Sequence, residues 1–394
     1  EYAFKGGTSQ DPEDRPGVAN MVAALIDEGA GDLDARAFQE KMEQLAVELR
    51  FNADRDHFRG SLRTLTERLD EASELLRLAL NHPRFDPDAI ERIRTQLVVS
   101  LRHDATNPTD MASKAWWKAA FPNHPYGWPE KGTQETIAQI KADELRSYAT
   151  RIFAKDQLKV AIVGDIDLAS AGKLLDKVFG ALPAKAQLAT VRPQQPAGLG
   201  ERQVVPFDVP QAVVSMGGIG LPRKHPDFIT AFVVNHILGG GSFTSRLYQE
   251  VREKRGLAYG VSTYLYPMEY SALFMGWTQV RADRAGEAIG IIEAETRQMA
   301  ANGPTQEELD KAKAYLKGSY ALRFDTSTKI AGQLVQIQLD ELGIDYINKR
   351  NDLIDAVTLA ETKRVAKALL ETPLLTVIVG KPAGITSTPQ RPPG

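Results

Sequence analysis

The pattern that closes the first half of the chain returns at its end. "KVAIVG" (159–164) and "LTVIVG" (375–380) each follow an amphipathic helix, "ADELRSYATRIF" in one case and "LAETKRVAKALL" in the other. Further upstream, "FDPDAIERIRTQLVVSL" and "PTQEELDKAKAYLKGSY" share a turn signal, early acidic residues and a long helical run. At the front, "FKGGTSQDPEDRPGVANMVAALIDEGAG" parallels "MGGIGLPRKHPDFITAFVVNHILGGG". The segments keep one order at an offset of about 215 residues, which marks a duplication rather than one strand's chance likeness. Each half reads strand, helix, several strands, long helices, final strand. That is an α+β layout, a mostly antiparallel sheet covered by helices on one face.

A chain of 394 residues exceeds one ordinary core, and two domains of about 200 residues each are expected. "PAKAQLATVRPQQPAGLGERQ" (183–203) is rich in Pro, Gly and Gln and lacks apolar periodicity. It sets the expected division: a domain over 1–185, a linker over 186–203 and a domain over 204–394. A net charge of -3 gives no basic footprint for nucleic acid. No apolar run approaches the ~18 residues of a membrane span. The absence of cysteine excludes disulfides, thiolate metal sites and cysteine nucleophiles. The chain opens on strand-like "EYAFKGG" without Met, so the true N-terminus is expected to lie upstream, with or without a removed targeting segment. A bacterial periplasmic location is favoured, with the cytoplasm as the alternative.

"GVANMVAALIDEGAG" (17–31) is an amphipathic helix whose apolar face is Val18, Met21, Val22 and Leu25. Pro16-Gly17 marks its entrance and Gly29 its exit. Asn20, Ala23, Ala24 and Asp27 fall on another side. In zinc peptidases a helix of this kind carries two His four residues apart, with a Glu beside one of them that activates the metal-bound water. The inverted order, H-x-x-E-H, uses the same geometry.

The succession "GVANMVAALIDEGAG", "HPRFDPDAIERIRTQL", "HPYGWPEKGTQETI", "LKVAIVGDID" and "FGALP" resembles the N-terminal domain of the M16 (pitrilysin-type, inverzincin) metallopeptidase family. "HILGGGSFTSRLYQEVREKRGLAYGVSTYL" resembles that family's C-terminal domain, so the likeness spans essentially the whole chain. Active members carry H-x-x-E-H where this chain has Asn20, Met21, Val22, Ala23 and Ala24. They add a Glu ligand on a later helix; here that window is "LVVSLRHD" (97–104), and Ser100 stands about where the Glu would fall. The resemblance therefore implies a degenerate zinc site at Asn20, Ala23, Ala24 and Ser100, with no metal in this chain. The six histidines, His57, His82, His103, His124, His225 and His236, offer no pair at i+3 or i+4.

The other half keeps its chemistry. Within "GGGSFTSRLYQEVREKRGLAYG" (239–260), Gly239, Gly240 and Gly241 permit unusual torsions and close approach of another chain. Ser242 or Thr244 suits a helix cap, and with the glycines Ser242 forms the candidate substrate-binding stretch. The resemblance places the family's Arg/Tyr pair on Arg252 in "EVREK" and Tyr259 in "GLAYG". Such a pair reaches the substrate beside the zinc. Arg offers a rigid fork of donors. A Tyr hydroxyl can donate to an oxyanion, a contact worth about 10²–10³ in rate. The competing reading has Arg252 paired with Glu250 or Glu253, and Tyr259 packed at a strand start. Arg255 is a rival arginine. Trp116 and Trp117 read as core or domain-seam residues.

One erased half-site beside one intact half-site implies a subunit of a heterodimeric zinc peptidase. A second M16-type chain would supply the zinc, and this chain would supply Arg252 and Tyr259 in trans for hydrolysis of unfolded peptides. The alternatives are a structural or assembly subunit of the M16 core-protein type, and a peptide-binding homodimer.

Overall fold

Strand alternation at the very start of the chain explains the first layer. In the computed structural model, which describes residues 1–388, β1 (Tyr2–Lys5), β2 (Glu48–Ala53), β3 (His57–Arg63) and β4 (Leu158–Val160) form an antiparallel sheet in the order β2-β3-β1-β4. Tyr2 and Phe4 point to one face and Ala3 to the other, as a period of two requires. On the Phe4 side lie α1 (Val18–Leu25), α2 (Ala35–Gln44), α3 (Leu69–Asn81) and α4 (Pro87–Asp104). After α5 (Pro108–Ala120), discussed below, α6 (Gln134–Gln139), α7 (Ala142–Ile152) and α8 (Leu168–Phe179) complete this layer. Phe4, Phe58 and Phe153 are fully buried at its centre, with ring centroids 5.1 Å apart for Phe4–Phe153 and 4.8 Å for Phe58–Phe153.

A second sheet is built from β5 (Arg202–Val205), β6 (Gln211–Ile219), β7 (Ala258–Pro267), β8 (Ala272–Arg281) and β9 (Leu375–Val379). Its order is β5-β9-β6-β8-β7, antiparallel except for the β5–β9 pair. The helices of this half are α9 (Phe228–Asn235), α10 (Ala285–Asn302), α11 (Gln306–Gly318), α12 (Ser327–Leu339), α13 (Tyr346–Ala356) and α14 (Leu359–Leu370). Of these, α9, α10, α11 and α14 bury Val233, Ile289, Leu309 and Leu369 with Val214 and Ile378 of the sheet.

The one-face expectation describes the main helical layer of each sheet, but the opposite face also carries a helix. On the second sheet α5 lies across β6 and β9, where Ala112 packs with Val213 and Val379, and Trp116 with Leu375 and Val377. On the first sheet α12 sets Ala331 and Val335 against Ala3 and Ala161. Residues 104–127 thus belong with the second sheet and residues 322–341 with the first, while the chain otherwise changes unit near residue 191. This explains why all five residues of β9 are buried. A strand covered on both faces is apolar without alternation. Trp116 is fully buried, and its indole N–H donates to Leu375 O at 3.2 Å. Gly217 lies directly beneath it: a Cβ there would sit 2.5 Å from the Trp116 ring and from Met275 Sδ.

Candidate functional site

Each half carries one stretch that the sequence singled out. In the first, α1 starts at Gly17, whose φ of 107° is open to glycine without strain. No residue adjacent to the helix caps it through a side chain. That task falls to Asp11, six residues upstream, whose carboxylate accepts from Gly17 N at 2.7 Å and Ala19 N at 2.8 Å. Asp11 is buried, and burial pushes its pKa up to about 7 against the opposing pull of those N–H groups and Arg151. Val18, Met21, Val22 and Leu25 are buried, so the packing face predicted from the sequence is in place.

The polar side of α1 carries a hydrogen-bond network. Asn20 donates through Nδ2 to Glu130 O at 2.7 Å. The Glu130 carboxylate pairs with Arg55 at 2.8 Å, and Arg55 is only 6% exposed. Burial raises the Glu130 pKa and Arg55 opposes the rise. Ala23 is buried, Ala24 half-buried, and Ser100 exposed on α4. Among the described residues no three His, Cys, Asp or Glu side chains gather as a metal-holding group. His124 Nδ1 accepts from Tyr126 N at 3.1 Å, which leaves Nε2–H to donate to Arg192 O at 3.0 Å. His236 stacks on Tyr315 with centroids 5.2 Å apart. Burial lowers the pKa of both histidines.

In the second half α9 runs into a wide π-type turn over His236–Gly240, a short 3-10 turn over Ser242–Thr244, and a second π-type turn over Tyr248–Glu253. Intramolecular packing already accounts for the glycines. A Cβ at 239 would lie 2.4 Å from Thr263 Oγ1 and 2.9 Å from Thr263 N; one at 241 would lie 2.7 Å from His236 O. Ser242 takes a left-handed φ of 47°, uncommon for a residue with a side chain. Neither Ser242 nor Thr244 caps a helix, contrary to the sequence expectation. Instead the Thr244 hydroxyl donates to Gly241 O at 3.0 Å and the Ser245 hydroxyl to Ser242 O at 2.9 Å. The helix expected after them starts at Arg246 and Leu247 and passes at once into the second π-type turn, which has no side-chain cap.

Arg252 and Arg255 separate clearly. Arg255 donates to the Glu250 carboxylate at 2.6 Å and to Glu250 O at 2.7 Å, and Lys254 shares that carboxylate. Arg252 lies over the Tyr248 ring, 4.9 Å from its centroid, and donates through Nη1 to Tyr248 Oη and to Glu253 at 2.7 Å. The Arg252 and Glu253 side chains are 39% and 48% exposed, a setting in which an ion pair contributes ~0–1 kcal/mol. Tyr259 is 79% exposed. It occupies a β-bulge between Ala258 and Gly260 on β7, an edge strand of the second sheet. A bulge leaves its extra residue out of the ladder and re-aims the side chain. The described residues show no hydrogen bond between Arg252 and Tyr259; the structure brings both to one helix-to-strand corner, Arg252 partnered and Tyr259 in solvent. Sequence reasoning missed Asp11, Glu130 and Tyr248. Only Tyr248 left a signal, an aromatic residue four positions before an arginine on a helical turn.

Comparison with known proteins gives this geometry its context. The family profile described as "Insulinase (Peptidase family M16)" matches residues 3–134, and that described as "Peptidase M16 inactive domain" matches residues 139–316. The chain is 28% identical over 326 residues to the "Non-peptidase homolog YmxG" of Helicobacter pylori, covering 82% of this chain and 75% of that protein. It is 25% identical over 321 residues to the "Uncharacterized zinc protease YmxG" of Bacillus subtilis, covering 82% and 78%. The crystal structure of a peptidase M16 inactive domain from Pseudomonas fluorescens superposes with a TM-score of 0.90 at 29% identity, over 98% of this chain and 93% of that one. A Helicobacter pylori protease shares the fold with a TM-score of 0.86 at 20% identity, over 96% and 92%. The zinc of active relatives does not fit here. In the register that the sequence resemblance implies, its positions would be Asn20, Ala23, Ala24 and Ser100: an amide already bonded to Glu130 O, two methyls and a surface hydroxyl, none a good zinc ligand. The chain belongs to the M16 peptidase family.

Proposed function

We propose that this chain is the non-zinc subunit of a heterodimeric M16 peptidase. In this reading it presents Arg252 and Tyr259 in trans to a peptide held at the zinc of a partner carrying an intact H-x-x-E-H helix. One observation carries the reading. The zinc positions hold Asn20, Ala23, Ala24 and Ser100, while Tyr259 is kept 79% exposed on a bulged edge strand. An exposed phenol at that point has no packing duty and is free to donate to an oxyanion. Arg252 would hold the peptide through its guanidinium, and the Gly239–Ser242 stretch would lie along it. The zinc, the base and the attacking water belong to the partner; this chain alone hydrolyses nothing. A periplasmic location is part of the same proposal.

The test mixes the purified chain with an H-x-x-E-H-bearing M16 chain from the same organism and follows cleavage of a fluorogenic oligopeptide. Cleavage is expected only with both chains present. Tyr259→Phe should lower kcat/KM by about 10²–10³, the range for a lost oxyanion donor, and Arg252→Ala should also lower it. Variants as active as the wild type would overturn the reading. A second reading, a structural subunit or peptide-binding homodimer, is favoured by the Arg252 guanidinium being already engaged by Tyr248 and Glu253. It prevails if no partner-dependent cleavage occurs.

A further inference from the structure

Arg252 is held by two groups of different character. Tyr248 is 6% exposed and is itself wedged by Phe243, edge-on at 5.0 Å and 85°. Its ring lies under the guanidinium and its hydroxyl accepts from Nη1. Glu253, by contrast, is half exposed and touches the same Nη1 from the solvent side at 2.7 Å. Among the described residues both bonds leave from Nη1. Nε and Nη2, the edge of the guanidinium that receives a carboxylate side-on, remain available. The neighbouring cations do not compete for this position, because Lys254 and Arg255 are both tied to Glu250.

We infer that Tyr248 is the positioning residue for Arg252, fixing its Nε–Nη2 edge toward a carboxylate of a bound peptide, with Glu253 the tethered anion which that carboxylate outcompetes. The inference rests on the proposed function for the identity of the ligand as a peptide. The hold itself is a property of this chain alone. A buried aromatic platform is rigid, whereas a half-exposed ion pair is easily exchanged. The arrangement therefore keeps the arginine aimed while leaving its charge recruitable.

The experiment needs no partner chain. The folded protein is labelled with phenylglyoxal and the modification of each arginine is followed by peptide mass mapping. Glu253→Gln is expected to speed labelling of Arg252 by about two- to fivefold, the range for loss of an exposed ion pair. Tyr248→Leu should speed it further and Tyr248→Phe by an intermediate amount, with Arg255 unchanged in all three. Arg252 labelling at the wild-type rate in Tyr248→Leu overturns the positioning role; should that variant not fold, Tyr248→Phe decides in the same way. A second arm compares protection of Arg252 by a pentapeptide with a free C-terminal carboxylate and by its amidated twin. Protection by the acid alone, stronger in Glu253→Gln, is expected. Equal protection by the two peptides, or none, overturns the carboxylate assignment. Loss of partner-dependent cleavage with this labelling pattern intact would refute the in-trans reading and leave the hold on Arg252 standing.

Discussion

Asn20 donates its side-chain amide to the main-chain carbonyl of Glu130 at 2.7 Å. In the register that the sequence resemblance implies, this neutral donor would stand where active M16 members carry their first histidine ligand. Glu130 is in turn anchored by Arg55, so the network runs from α1 through Glu130 to the β2–β3 turn. The polar side of α1 is thus a satisfied hydrogen-bond network, while Val18, Met21, Val22 and Leu25 pack the other side.

If the four positions correspond to the ligand set, restoring the chemistry should restore the metal. The variant carrying Asn20→His, Ala23→Glu, Ala24→His and Ser100→Glu is expected to retain about one zinc per chain through gel filtration, measured by elemental analysis, as three protein ligands and a water allow. Asn20→His alone should retain none. Ser100 is exposed and Ala24 half-buried, so these side chains have room. A quadruple variant that folds yet leaves zinc in the buffer would show that the registration of the helix is wrong.

Asp11 makes the folding of the first unit sensitive to pH. Its carboxyl is pushed up to about 7 by burial, from an ordinary value of 3.8. The folded state therefore keeps a proton that the unfolded chain releases. The sign follows: this contribution is fully present below about pH 4 and is lost as pH rises through about 7. Urea denaturation across that window should show stability falling with pH, by at most ~1.4 kcal/mol per unit for one proton. Asp11→Asn should flatten the dependence while keeping one acceptor for the α1 N–H groups. Asp27, raised to about 6 mainly by its own burial, contributes in the same direction, so the slope should not vanish. An unchanged slope in Asp11→Asn would remove Asp11 from the account.

How much of this was legible beforehand depends on the range of the interaction. The two-sheet α+β layout followed from the repeat, because strand and helix periodicity is local. The helices on the far faces were not legible: α5 and α12 are ordinary amphipathic runs, and nothing local says that each joins the sheet of the other half. The unalternating β9 was the available hint, a strand buried on both faces. At the site, the family resemblance pointed to Arg252 and Tyr259, but Tyr248 beneath Arg252 needed side-chain geometry. Asp11 escaped notice because it caps α1 from six residues upstream rather than from the N-cap position itself.

The α5–sheet contact should be costly to disturb. Trp116→Ala removes a fully buried indole and a hydrogen bond to Leu375 O, and ~3–5 kcal/mol of destabilisation is expected by chemical denaturation. Gly217→Ala should also destabilise, by ~1–3 kcal/mol, since its Cβ would meet the indole and Met275 Sδ at 2.5 Å. Because both substitutions act on one contact, the double variant should cost less than the sum of the two. Strict additivity would mean that Gly217 and Trp116 act independently.

The glycine run preceding Arg252 separates packing from peptide binding. At Gly239 an added Cβ meets the Thr263 hydroxyl at 2.4 Å and the Thr263 backbone nitrogen at 2.9 Å, and backbone cannot yield cheaply. At Gly240 the nearest atom is Asn235 Nδ2 at 2.6 Å, the movable end of a side chain. At Gly260, beside the Tyr259 bulge, nothing lies within 4 Å. Alanine substitution should therefore lower the thermal midpoint most at 239, less at 240 and little at 260. At Gly239 the expected cost is ~1–3 kcal/mol, as for other overpacked sites. If instead Gly239→Ala left stability untouched while abolishing partner-dependent peptide cleavage, the glycine would serve the peptide and not the α9–β7 packing. If stability falls in the order 239, 240, 260, the run is explained by the fold, and any role in holding substrate comes second to it.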